Sequence, residues 1–124
     1  MPVTQILTVG DALRALRELV PGASAIIASH VANQALDADP DELEEAVAPY
    51  WLFTEIREHV FENAPGMTQR IAGLFAFMEM ALVSHAQSVR DGSAIRIAHK
   101  LYRYENAIKA SGVIPGPRLA AAMG

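Results

Sequence analysis

The stretch 71-IAGLFAFMEMALV-83 has no polar residue except Glu79. Its large side chains, Ile71, Leu74, Phe75, Met78 and Leu82, recur at spacings of three and four, the period of an α-helix. Apolar residues also occupy the rest of the wheel, which is the pattern of a helix enclosed by other helices. The run is too short for the roughly 20 apolar residues that a membrane span requires. The spacing therefore predicts a central helix over about 67–87. Glu79 lies about 90° from the middle of its apolar face, at a boundary. A carboxylate so placed is an active-site acid, a metal ligand or half of a buried ion pair, and the residues themselves do not choose.

Outwards from this helix the same period recurs and β-branched alternation is nearly absent. Thr8 with Asp11 resembles a capping box that opens a helix ending at Pro21-Gly22. A second helix is expected over about 23–36, with Ile27, Val31 and Ala35 on one side. Asp39 and Pro40 fit the cap and first turn of a short third helix that Pro49 ends or kinks. A fourth, about 50–63, buries Leu52, Phe53, Ile56 and Val60, and Ala64-Pro65-Gly66 closes it. A last long helix, about 90–111, ends at Gly112, where a left-handed C-cap belongs. Its apolar face comprises Ala94, Ile97, Ala98, Leu101 and Ile108, with Glu105 near the middle, so Glu105 is expected to be more buried than Glu79. Residues 1–7 and 112–124 read as extended ends, with room for one helical turn in 118-RLAAAM-123. The expectation is an all-α, single-domain helical bundle of five or six helices spanning 1–124. HEAT-like antiparallel hairpins are one arrangement of it; 61-FENA-64 and 104-YENA-107 echo each other, but their flanks do not match.

Composition narrows the function. One domain's worth of chain, 124 residues, is 52% hydrophobic and has no cysteine, which excludes disulfides, thiolate zinc sites and a cysteine nucleophile. The N-terminus has no secretory leader pattern, and the expected location is the cytoplasm. A net charge of −4 speaks against general nucleic-acid binding. The charge is unevenly spread: residues 37–62 hold nine acids against Arg57, and residues 63–124 hold seven bases against three acids.

No cofactor or metal motif stands out. His30, His59, His85 and His99 lack the Glu-x-x-His spacing of di-iron bundles and the zincin spacing. Asp37, Asp39 and Asp41 begin like a calcium loop, but Glu42 and Ala48 occupy the positions that need a glycine and a bidentate acid. Arg70, His85, Tyr102 and Tyr104 are the candidate partners for buried carboxylates, and Glu79 with Glu105 could share a proton. Glu79, Glu105 and His85 together are the basis of one alternative, a small helical enzyme or metal-binding protein.

The surface suggests another function. Arg96, His99, Lys100 and Arg103 fall on one side of the last long helix as a basic stripe, either an ordinary solvated face or a docking surface for acidic groups. Trp51 with Phe61 and Tyr50, and Phe77 with Met80, form apolar stripes beyond the single core face. Neighbouring helices cover them, or they contact a second copy or another protein.

The segments LRELVPG, PYWLFTEIREHV, IAGLFAFMEMAL and AIRIAHKLYRYENAI resemble an uncharacterised bacterial family of small all-helical proteins, a domain of unknown function. Some of its members occur near toxin and immunity genes. The likeness spans about residues 13–110 and rests on packing positions: Phe75 and Phe77 precede Glu79, and Tyr102 and Tyr104 precede Glu105. It implies that these glutamates are structural and that the activity is binding. The expected function is thus a non-enzymatic protein-binding or regulatory, immunity-like domain, self-associating or paired with a protein partner.

Overall fold

The computed structural model describes residues 3–34 and 47–123, and it is all-α. The short helix expected over about 39–48 falls mainly outside the described residues. Elements in chain order are α1 (Val9–Leu19), α2 (Ala23–Gln34), α3 (Pro49–Val60), α4 (Met67–Ala81), α5 (Gln87–Arg96), a 3₁₀ helix (Ala98–Tyr104), α6 (Glu105–Ser111) and α7 (Pro117–Met123). None of the helices among the described residues is long and apolar enough to cross a membrane.

Helix α4 is the predicted central helix. It packs against α1, α3, α5, α6 and α7 and exposes only Thr68, Gln69, Ala72 and Ala76, the small or polar residues on one narrow strip. Ile71, Leu74, Phe77 and Met78 are fully buried. Burying each large apolar side chain contributes on the order of 1.5–3 kcal/mol, which offsets the chain entropy lost in ordering the helix. At Gly73 the end of α1 lies directly on α4: a Cβ there would sit 1.8 Å from the Leu19 carbonyl oxygen.

Polar groups hold the turns. The Asp11 backbone N–H donates to Thr8 Oγ1 at 3.1 Å, and the Asp11 carboxylate in return accepts from Leu7 N at 3.0 Å. After α1, Gly22 takes φ +85°, and the His59 ring closes over it with Nε2 2.7 Å from the Pro21 carbonyl. Between α3 and α4, buried Arg70 donates to the carbonyls of Val60 (3.2 Å), Glu62 (2.7 Å) and Pro65 (2.9 Å). Its guanidinium thus satisfies carbonyls left open at the end of α3. It is not the partner of a buried carboxylate.

Several boundaries differ from the sequence reading. Pro49 begins α3, since its missing N–H costs nothing at the first helical position. Helix α4 stops at Ala81: buried Ser84 donates from Oγ to the Ile6 carbonyl (2.9 Å) and accepts from Ala86 N (3.0 Å), while His85 N donates to the same carbonyl. Long-range bonds to the N-terminal segment thus replace another turn of helix. The expected helix over 90–111 is three elements, broken at Ile97 (φ −115°, ψ −70°) and Tyr104 (φ −119°, ψ +21°). A 3₁₀ helix turns 120° per residue against 100°, so seven residues advance the phase by about 140° relative to an α-helix. Gly112 does form the left-handed cap, at φ +74°.

The two echoing tetrapeptides adopt different structures, a turn at 61–64 and the start of α6 at 104–107, yet Phe61 and Tyr104 stack at 4.1 Å and 5°. Gly92 packs on Pro49 and Phe53, and Arg57 reaches Arg96 O. These contacts show that α5 runs beside α3 in the same direction, and the Phe61–Tyr104 stack forms beyond the end of α3.

Gly73→Ala tests the crossing. In an open helix this change stabilises by about 1 kcal/mol through propensity. Here the methyl must push one backbone off another, so a net loss at or above the upper end of ~1–3 kcal/mol is expected in chemical denaturation.

Candidate functional site

The carboxylate inside the apolar run has a defined occupation. Glu79 is half-buried, and its Oε2 accepts from Leu119 N at 2.7 Å and its Oε1 from Arg118 N at 3.2 Å. Arg118 Nη1 donates back to the Glu79 backbone carbonyl at 2.9 Å. Glu79 therefore caps the first turn of α7, whose free N–H groups and positive dipole end favour a carboxylate. Leu119, fully buried, is drawn in beside it. Gly116 permits this approach, because a Cβ there would lie 2.5 Å from the Glu79 carboxyl carbon. The C-terminal segment is thus extended only as far as Gly116 and then docks as a helix.

Glu105 is exposed, contrary to its expected place in the middle of an apolar face. The phase advance of the 3₁₀ helix turns it outward, while Ala98 and Leu101 stay buried. It pairs with Lys109 one turn on, at 2.8 Å, and the hydrogen bond and charge of that ammonium hold its carboxyl below the ordinary glutamate range. His85 is exposed as well; Gln5 Nε2 lies 3.1 Å from its Nε2. Glu79, Glu105 and His85 therefore have separate partners.

The other imidazoles are dispersed. His30 on α2 lies 3.1 Å from Glu55 on α3, His59 holds the α1–α2 turn, and His99 is exposed. Among the described residues no three His, Cys, Asp or Glu side chains are grouped to hold a metal.

The aromatic stripes divide. Phe77 is fully buried, edge-on to Phe53 at 5.8 Å and 71°, so it is core and not a contact surface. Phe61 and Met80 are half-buried against the core; α4 is enclosed on the side where an outer stripe was expected. Trp51 alone among the aromatic stripe residues stays well outside, 63% exposed. Arg96 reaches back from α5, its guanidinium carbon 5.3 Å from the Trp51 ring centroid and 5.5 Å from that of Tyr50. A cation over an aromatic face is worth ~0.5–1 kcal/mol when exposed, enough to bias the indole's orientation.

Arg96 is thereby drawn out of the basic stripe. His99, Lys100 and Arg103 follow on the 3₁₀ helix, where Lys100 and Arg103, three apart, stack along one edge. Arg103 also lies over the Tyr102 ring at 5.9 Å, and its hydrogen bond, then its charge, lower the phenol's pKa. Beneath the junction, buried Arg57 donates from Nη1 to Arg96 O at 2.5 Å, placing a cation at the negative end of α5.

Sequence reasoning missed the outer ridge of α3. Trp51, Glu55 and Glu58, with Glu62 just beyond the helix, are all exposed. Their spacing of four, three and four was available as a signal, but it is the complement of the apolar spacing that drew attention. Trp51, stacked with Arg96, begins this acidic ridge, and Glu55 further along it lies against His30 of α2. Comparison with family models, with curated proteins and with solved structures finds no match to the chain.

Glu79→Ala is expected to release α7. The loss of the cap should cost about 1 kcal/mol and raise amide exchange selectively over 117–123. Glu105→Leu, in contrast, should change stability by less than about 0.5 kcal/mol, because its ion pair is wholly exposed.

Proposed function

We propose that the chain is a cytoplasmic, non-enzymatic protein-binding domain of the regulatory or immunity-like kind, and that it engages other proteins through the α3 face centred on Trp51. The observation that carries this is the exposed indole of Trp51 held by the Arg96 guanidinium, with Tyr50 beside them. Trp, Tyr and Arg are the residues in which binding energy concentrates at interfaces, and here Tyr50, Trp51 and Arg96 form one cluster. The resemblance to small helical proteins encoded near toxin and immunity genes supports the same reading. The absence of cysteine fits a reducing compartment.

The alternative built on carboxylates has less support. Glu79 spends both oxygens on backbone N–H groups, and Glu105 pairs with Lys109 in the open. Nucleic-acid binding through the basic edge has little support from a chain whose net charge is −4.

Quantitative cross-linking and capture with the native chain and with Trp51→Ser tests the proposal. The exposed indole contributes little to folding, so the variant should keep native stability within about 1 kcal/mol. Removing a hot-spot tryptophan costs about 2 kcal/mol or more of binding, so protein association should weaken by roughly 30-fold. Equal association of both forms, or none by either, would overturn the reading.

A further inference from the structure

Resting on that reading, we infer that the α3 face receives an acidic protein segment, one of whose Asp or Glu carboxylates docks on the Arg96 guanidinium beside the Trp51 indole. Three observations lead there. Arg96 is half-buried, and its guanidinium carbon lies 5.3 Å from the Trp51 ring centroid and 5.5 Å from that of Tyr50. Its hydrogen-bonding capacity is unspent: Nε is enclosed with no acceptor, and neither Nη donates to any acceptor among the described residues. No carboxylate among the described residues pairs with it, and the first acid of α3, Glu55, lies against His30 at 3.1 Å. Beneath it Arg57, 5% exposed, directs Nη1 to the Arg96 carbonyl while its own Nε lacks an acceptor. A second, buried cation at this junction thus has no counter-ion among the described residues.

Stacking on aromatic rings uses the face of a guanidinium and leaves its edge, where the N–H groups point, open to an acceptor. The two rings also fix the plane, so Arg96 offers a carboxylate a fork with little further loss of side-chain freedom. With Nε enclosed, the approach is end-on, to the two Nη atoms. Cations withdrawn from water without acceptors are costly, and a bound carboxylate supplies the missing acceptors and offsets the charge of Arg57 as well. The indole, 63% exposed, forms an apolar ledge beside the fork, which suits an apolar residue next to the acid in the incoming segment. A carboxylate is favoured over a phosphate because the exposed Glu55 and Glu58 continue along α3 from Trp51, and their repulsion grows with the charge of the ligand.

Selection of short random peptides on the intact native chain, followed by titration of the enriched peptides, tests the inference. Trp51 is the single tryptophan, so its emission reports occupancy of the site. Enriched peptides are expected to carry Asp or Glu next to an apolar residue and to bind less tightly as salt rises. Replacing that acid by its amide should weaken binding to the native chain by roughly 10-fold or more, the worth of a hydrogen bond to a charged group. In Arg96→Gln, checked for folding by circular dichroism, the acidic peptide and its amide counterpart should bind equally. That lost preference separates carboxylate recognition from positioning of the indole, which would weaken both peptides alike. No enrichment, enriched peptides without acids, a native chain indifferent to the amide replacement, or a preference that survives Arg96→Gln would each overturn the inference. Tighter binding of inorganic phosphate than of acetyl-glutamate amide would overturn it in favour of a phosphate site. Protein association that depends on Trp51 but is unchanged in Arg96→Gln would overturn the acidic segment as occupant while leaving the binding-domain reading intact.

Discussion

The contact on which the rest of the molecule depends is the laying of the α1 C-terminus on Gly73. Two helix backbones approach there with no side chain between them, and this fixes how deeply α4 sits in the bundle. Once α1 is that close, Leu13 and Leu16 on one side and Leu74 and Met78 on the other fill the remaining space without exposure. Helices α3, α5 and α7 then complete the enclosure. Tight packing of this kind resists change at the crossing, because interiors are already near crystal density.

A second regularity follows from enclosing a helix so fully. Three buried or half-buried charges among the described residues, Arg70, Arg57 and Glu79, are spent on backbone groups at helix ends. Arg70 collects carbonyls after α3, Arg57 reaches the last carbonyl of α5, and Glu79 receives the first N–H groups of α7. Each satisfies groups that a buried helix terminus would otherwise leave open, and each is oriented correctly for the helix dipole it meets. The carboxylate in the apolar run is therefore the clasp by which the C-terminal segment closes over the core. The structure has an acid where chemistry might be sought and gives it a mechanical task.

The outer surface follows from the same packing. With Phe77 and Phe61 taken by the core and by Tyr104, Trp51 is left with a cation as its principal neighbour. From Trp51 the exposed acids Glu55 and Glu58 continue along α3, and Lys100 and Arg103 follow Arg96 on the 3₁₀ helix. Neither row is unusual alone, since solvated helix faces are commonly charged. The exposed indole held under an arginine is what distinguishes the α3 face from an ordinary wet surface.

The sequence by itself determined the all-helical class, the central position of 71–83, the Thr8 cap and the left-handed turn at Gly112, because these depend on local periodicity and on residues that act within a few positions of themselves. The burial of Glu105, the continuity of 90–111 and the end of α4 were misread for a common reason. A wheel assumes a constant 100° per residue, and nothing local announces where long-range bonds interrupt it. Ser84 leaves the helix because Ile6 offers a carbonyl, 78 residues away in sequence. Only the tertiary structure decided which acids are clasps and which are surface, since that depends on which helix end or cation the fold brings to each.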